Sequence, residues 1–227
     1  MSETIQLSAG PGFVFPAYLA KPAGKPRAGL VVLQEIFGVN AHIRAVADAY
    51  ASDGFLVLAP ATFHRVQHDV ELGYTPADIQ AGAALKAKVE ALPAPGVMPD
   101  IEAAVRYVSQ AGKVGVVGYC WGGLLAWRSA CLLEGLAAAV PYYGGGMTVG
   151  AELARQPQCP VLCHFGAQDH AIAMDTVEAF RAAQPQVEVQ VYQAQHGFNC
   201  DQRGSYDAAA ATLARQRTLA FFEHHLA

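Results

Sequence analysis

Three residues of this 227-residue chain have side chains and settings suited to acyl transfer: Cys120, Asp169 and His196. Cys120 sits in Gly118-Tyr119-Cys120-Trp121-Gly122-Gly123, between a run of valines at 114–117 and the apolar residues Leu124, Leu125 and Trp127. The valines predict a short buried strand, and the later spacing predicts a helix. A cysteine at that junction lies at the start of a helix. The first-turn amides and the positive dipole end favour thiolate, the nucleophilic form. Glycines on both sides let the chain leave a strand and enter a helix at once. The bland alternative is a buried cysteine in a glycine-rich turn, so the rest of the chain must decide.

Asp169 lies in Gly166-Ala167-Gln168-Asp169-His170, just past an apolar strand predicted over 160–165. His196 opens a loop after an alternating strand at 187–192, and Gly197 is expected to leave room beside the imidazole. Each member of the set follows a strand, and each strand follows a helix. Parallel strands would bring all three loops to one edge of a sheet. His196 would hold the thiol proton and later deliver it to a leaving group. Asp169 would fix the imidazole tautomer and stabilise imidazolium. The amide of Trp121 can face a developing oxyanion, with a second amide expected from Ile36 in the loop after the first parallel strand. Glu35 lies in that same loop. By position alone it is an ordinary carboxylate at a strand end.

Length and composition suit this chemistry. At 53% hydrophobic and 15% charged residues, the chain is expected to form one compact α/β domain over 1–227. The net charge of -4 gives no sign of nucleic-acid binding. The N-terminus has no signal-peptide pattern, and no apolar run reaches membrane-spanning length. Five cysteines without a CxxC pair predict reduced thiols and a cytoplasmic protein. Cys131, Cys159 and Cys163 read as core. Cys159 and Cys163 are expected to share one strand, and no second ligand pair supports a metal. His64 and His68 have helical spacing without a third ligand and read as surface residues.

Taken in order, residues 4–7 and 13–19 predict an N-terminal hairpin. Residues 28–36 predict a central parallel strand, 42–52 a helix and 55–59 the next strand. Residues 62–95 form an excursion that could act as a cap or lid. Helices follow at 99–110, 121–134, 172–183 and 206–226, alternating with strands.

The order nucleophile, acid, base is that of α/β-hydrolases. The whole pattern resembles the dienelactone hydrolase family of that superfamily. The resemblance rests on QEIFGVN (34–40), GYCWGG (118–123), GAQDH (166–170) and HGF (196–198). It implies an α/β-hydrolase fold, with a mostly parallel sheet and helices on both faces. It also implies a lactone hydrolase, free of cofactor and metal, acting through Cys120, His196 and Asp169. Glu35 resembles the family's second carboxylate, which holds the resting thiol. The expected partner is a small ester or lactone, with no nucleic acid, no membrane and a monomeric chain. Phe37, Tyr142 and Arg203 are the expected substrate contacts. The type enzyme grips a substrate carboxylate with two arginines, one four residues after the catalytic histidine. Here that position is Cys200, with Arg203 displaced, and the segment before the Gly118–Gly123 turn offers Arg65, Lys86 and Lys88. A neutral or differently shaped ester or lactone is therefore expected in preference to a dienelactone carboxylate. The rival readings are a thiol redox or electrophile sensor, with Cys200 as resolving thiol, and a non-catalytic binding protein on the same scaffold.

Overall fold

A computed structural model describes residues 2–227. Their contacts fall into two compact units, 1–114 and 115–227. The first opens with the expected hairpin, β1 (Ser2–Ser8) and β2 (Val14–Ala20), paired antiparallel from Ser2↔Ala20 to Ser8↔Val14. Strand β3 (Ala28–Leu33) is followed by helix α1 (Ala41–Ser52) and strand β4 (Phe55–Pro60). β3 and β4 run parallel in register Ala28↔Phe55 to Val31↔Leu58, the expected β-α-β unit. Both are buried along their whole length, which explains their unbroken apolar sequences. β3 stops three residues earlier than its apolar run suggested, so Gln34, Glu35 and Ile36 belong to the loop beyond it.

Asn40 starts α1 by accepting a hydrogen bond from the Ile43 amide. Helix α2 (Pro76–Glu90) begins with a capping box in which Thr75 and Asp78 satisfy each other's backbone amides. Helix α3 (Met98–Val108) buries Ile101, Ala104, Val105 and Val108, the face read from the sequence. Its Asp100 is fully buried and is held by the forked guanidinium of Arg65 at 2.6 and 2.8 Å.

The second unit continues with β5 (Val114–Tyr119), α4 (Trp121–Leu132) and β6 (Leu136–Tyr142). A four-residue helix α5 (Gly150–Leu153), which the sequence pattern did not mark, precedes β7 (Leu162–Gly166). Then come α6 (Met174–Ala183), β8 (Glu188–Tyr192) and α7 (Ala208–Leu226). β7 and β8 are parallel from Leu162↔Glu188 to Gly166↔Tyr192. Cys159 lies before β7 rather than in it, so it and Cys163 do not share a strand. The strand order is β1-β2-β4-β3 in the first unit and β5-β6-β7-β8 in the second; β3-β4, β6-β7 and β7-β8 pair parallel, and β1-β2 and β2-β4 antiparallel.

Candidate active site

The local chain geometry at Cys120 follows from its glycine neighbours. A Cβ on Gly118 would lie 1.9 Å from the carbonyl oxygen of Gly122, and one on Gly123 would lie 2.5 Å from that of Tyr142. Only glycine lets strand, turn and helix approach so closely. Cys120 itself takes φ 55° and ψ -116°, a region that costs a non-glycine residue about 1–3 kcal/mol. Its amide donates to Tyr142, and its carbonyl accepts from Gly123 and Leu124, so α4 begins immediately. Trp121 is the first residue of that helix.

The loops after β7 and β8 bring the other two members to this turn. Nε2 of His196 lies 3.1 Å from the Cys120 sulfur, and Nδ1 lies 2.7 Å from Oδ2 of Asp169. The second carboxylate oxygen of Asp169 accepts the Ala171 amide at 2.8 Å, which fixes its orientation. The Asp169 side chain is fully buried, while that of His196 retains 19% exposure. Burial opposes a charged imidazole at His196. The Cys120 sulfur beside it and the hydrogen bond that Nδ1–H donates to Asp169 outweigh that, and His196 is pushed up to about 10. The imidazole is thus held between a sulfur and a carboxylate.

The other cysteines differ. Burial pushes Cys131 up to about 12 and Cys159 up to about 11, and raises Cys163 as well. These thiols stay protonated and inert. Cys120 is partly exposed, whereas Cys200 is fully buried.

Gly197 has φ +77°, and the space beside it is filled by Arg203. A Cβ there would lie 2.5 Å from Nη1 of Arg203. The absent side chain thus makes room for a guanidinium, in addition to any room it leaves beside the imidazole. The turn closes through Cys200 to Gly197, Arg203 to Cys200 and Asp207 to Phe198 backbone bonds. Phe198 is fully buried among Tyr142, Tyr143 and Tyr192, and the Tyr143 ring meets the His196 ring edge-on at 5.1 Å.

Tyr142, expected as a substrate contact, ends β6. It is fully buried, its hydroxyl lies 2.6 Å from Thr218, and its ring packs on Tyr119 and His164. It belongs to a network that sequence reasoning missed. His164, in β7, lies 2.8 Å from the Tyr192 hydroxyl and 3.0 Å from Oγ1 of Thr218. Thr218 donates to the Ala214 carbonyl, so it accepts from the Nε2–H of His164. Nδ1 then accepts from Tyr192, whose oxygen accepts from Arg217. Burial lowers His164 to about 3, so the ring is neutral. The only sequence signal was a histidine inside an apolar strand.

In the first unit, Glu35 is fully buried and accepts a hydrogen bond of 3.3 Å from the Tyr74 hydroxyl. Asn40 donates to that hydroxyl and to the Leu72 carbonyl. Phe37 is buried against the Tyr74 ring, with centroids 4.6 Å apart. Ile36 lies between them in sequence and its carbonyl approaches α2 at Gly82. Tyr74 and Asn40 were not singled out from the sequence, because their partners lie 34–39 positions away. His64 and His68 are not independent surface groups: their rings stack 3.9 Å apart.

The fold is that of an α/β-hydrolase. The family model described as "Dienelactone hydrolase family" matches residues 15–226. A provisionally named carboxymethylenebutenolidase from Synechocystis sp. is 34% identical, covering 92% of this chain and 91% of its own. The carboxymethylenebutenolidase of Pseudomonas putida is 33% identical, covering 97% of this chain and 96% of its own. A crystal structure of a provisionally named dienelactone hydrolase from Klebsiella pneumoniae superposes with TM-score 0.81 at 30% identity, over 98% and 99% of the two chains. The chain therefore belongs to the dienelactone hydrolase family, and it is a dienelactone hydrolase-like hydrolase. No helix among the described residues is long and apolar enough to cross a membrane.

Proposed function

We propose that this chain, working as one domain, hydrolyses small esters or lactones through a covalent thioester on Cys120. The observation that carries the reading is the hydrogen-bonded line from Cys120 through His196 to Asp169. The thiolate sulfur attacks the carbonyl carbon, and the carbonyl oxygen takes up negative charge. The amides of Trp121 and Ile36 are assigned to stabilise that oxyanion. As the carbon–oxygen bond breaks, the leaving oxygen takes the Nε2 proton of His196. His196 then removes a proton from water, the water oxygen attacks the thioester, and the sulfur departs as thiolate. Asp169 keeps Nδ1 protonated and oriented throughout. Glu35 is assigned to hold the resting thiol, and residues 62–95 to cover the site.

The substrate reading is a neutral ester or lactone. Burying a carboxylate requires a well-placed cation, best an arginine fork. Arg65 is already committed to Asp100, and Arg203 is packed on Gly197. A sensor reading with Cys200 as resolving thiol is weakened by the full burial of Cys200, since redox-sensing thiols need access. Incubation with an excess of phenyl acetate separates the two. A hydrolase releases many equivalents of phenol per enzyme, while a sensor stops at one.

A further inference from the structure

Tyr143 is the first residue beyond β6, and it takes φ 36°. That is the left-handed region, which a side chain as large as tyrosine rarely adopts and which persists only where the surroundings enforce it. Among the described residues, Asp69 and Cys120 are the other non-glycine positions with positive φ. The enforcement at Tyr143 comes from two directions. Its amide donates to the His164 carbonyl in β7 at 2.7 Å, and the carbonyl of Tyr142 accepts the Cys120 amide at 3.0 Å. The next residue, Gly144, lies close against the start of α4. A Cβ on it would meet the carbonyl carbon of Gly123 at 3.0 Å and the amide nitrogen of Leu124 at 3.1 Å. The turn is thus tied both to the helix behind the nucleophile and to the strand that leads to Asp169.

The ring that this turn presents is fully buried. Its centroid lies 5.1 Å from that of His196 at an interplanar angle of 60°, 5.2 Å from Phe198 and 6.3 Å from Tyr119. It therefore packs beside the residue before the nucleophile and beside two residues of the loop that carries the base. His196 needs such support. Its hydrogen bonds run from Nε2 to the sulfur and from Nδ1 to Asp169, both at the rim of the imidazole. Neither resists a tilt of the ring about the line that joins them, whereas an aromatic ring packed against it does. The imidazole also keeps 19% exposure, and the residue after it is Gly197 at φ +77°, so its own loop confines it only in part.

We propose that Tyr143 is a positioning residue: its ring, fixed to the turn after β6, holds the His196 imidazole in line with Cys120 and Asp169. The inference rests on the acyl-transfer reading above, and two of its measurements need no turnover. Tyr143→Leu removes the ring. It is expected to lower kcat for phenyl acetate by about 10- to 100-fold, with KM changed by less than about threefold. Contact with the sulfur and Asp169 holds His196 at about 10, so a loosened imidazole should titrate at lower pH, followed by its Cε1–H shift. Iodoacetamide should also react more slowly with Cys120, because the base that takes the thiol proton is no longer aligned. Tyr143→Phe keeps the ring and should match the parent in all of these. Phe222→Leu cuts another buried ring, which packs beside Gly115 at the start of β5, and should lower stability without moving the His196 midpoint. Tyr143→Met, which fills more of the space with a flexible chain, carries the same expectations as Tyr143→Leu if the leucine variant fails to fold. An unmoved midpoint with unchanged alkylation in the folded variant would overturn the proposal, as would a Tyr143→Phe protein as impaired as Tyr143→Leu. A parent that turns over no ester, while the midpoint and alkylation still respond to Tyr143→Leu, would sink the hydrolase reading and leave the positioning role standing.

Discussion

The guanidinium of Arg203 rests against the backbone of Gly197, the residue that follows His196, so closely that a methyl group there would meet Nη1 at 2.5 Å. Gly197→Ala must therefore displace Arg203 or shift the loop that carries the imidazole, and φ +77° adds strain. Displacement of a catalytic group by an ångström can cost about 100-fold. A fall of kcat/KM by about 10- to 100-fold is expected, together with a loss of about 1–3 kcal/mol of stability from the strained backbone, checked by ester hydrolysis and thermal unfolding. Arg203→Ala provides the contrast. The ratio of kcat/KM for a dienelactone carboxylate to that for its neutral ester should stay the same. A strong preference for the acid that disappears in Arg203→Ala would show that the displaced arginine holds the carboxylate.

The titration of His196 depends on its neighbours. Burial lowers it, but the Cys120 sulfur and Asp169 raise it to about 10. The imidazolium is present below that pH and lost above it. The alkaline limb of kcat/KM should therefore fall near pH 10, as the proton for the leaving group is lost. Cys120→Ala removes the largest raising contribution, so the His196 ring should titrate at lower pH in that variant. Histidine Cε1–H shifts followed against pH provide the measurement, and an unmoved midpoint would count against the coupling.

His164 should make the protein acid-sensitive. Its folded value is about 3 against 6.5 for the free side chain. Between those pH values the unfolded chain binds a proton that the native state refuses. Stability is therefore present above about pH 6.5 and lost as pH falls toward 3. The slope for one such group approaches roughly 1.4 kcal/mol per pH unit. His164→Gln, although less stable at neutral pH, should show a shallower dependence in urea unfolding. Parallel curves for parent and variant would contradict this.

How far the sequence spoke for itself differs between these residues. Cys120 was legible because its turn is local: strand, glycines and helix are contiguous, and one stretch carries the whole constraint. Asp169 and His196 were legible because strand alternation puts both at strand ends. Arg203 was noticed, but its packing on Gly197 depends on how a turn folds back, which periodicity does not report. The roles of His164, Tyr142 and Thr218 depend on hydroxyl–imidazole contacts across 54–76 positions, and no local pattern marks them. β3 ended early for a similar reason. An apolar run shows burial, whereas a strand ends where its ladder pairing ends, and β3 stops at Leu33 although the run continues to Ile36.

Glu35 and Tyr74 offer a test of the resting state. The Tyr74 hydroxyl donates to the buried Glu35 carboxylate. If Glu35 acts on the resting thiol, its negative charge opposes thiolate formation. Glu35→Gln should then increase the alkylation rate of Cys120 by iodoacetamide at low pH. Tyr74→Phe removes the donor and should alter the same profile without removing the charge. Superimposable profiles for all three proteins would return Glu35 to the role of a buried structural carboxylate.

The central claim is that Cys120 becomes acylated. Acid quenching during turnover of phenyl acetate, followed by peptide mass spectrometry, tests it most directly. The account predicts an acetyl group on the peptide containing Cys120, which disappears as substrate is exhausted and does not form in Cys120→Ala. Acetylation of another residue during turnover, with hydrolysis undiminished in a folded Cys120→Ala protein, would contradict it.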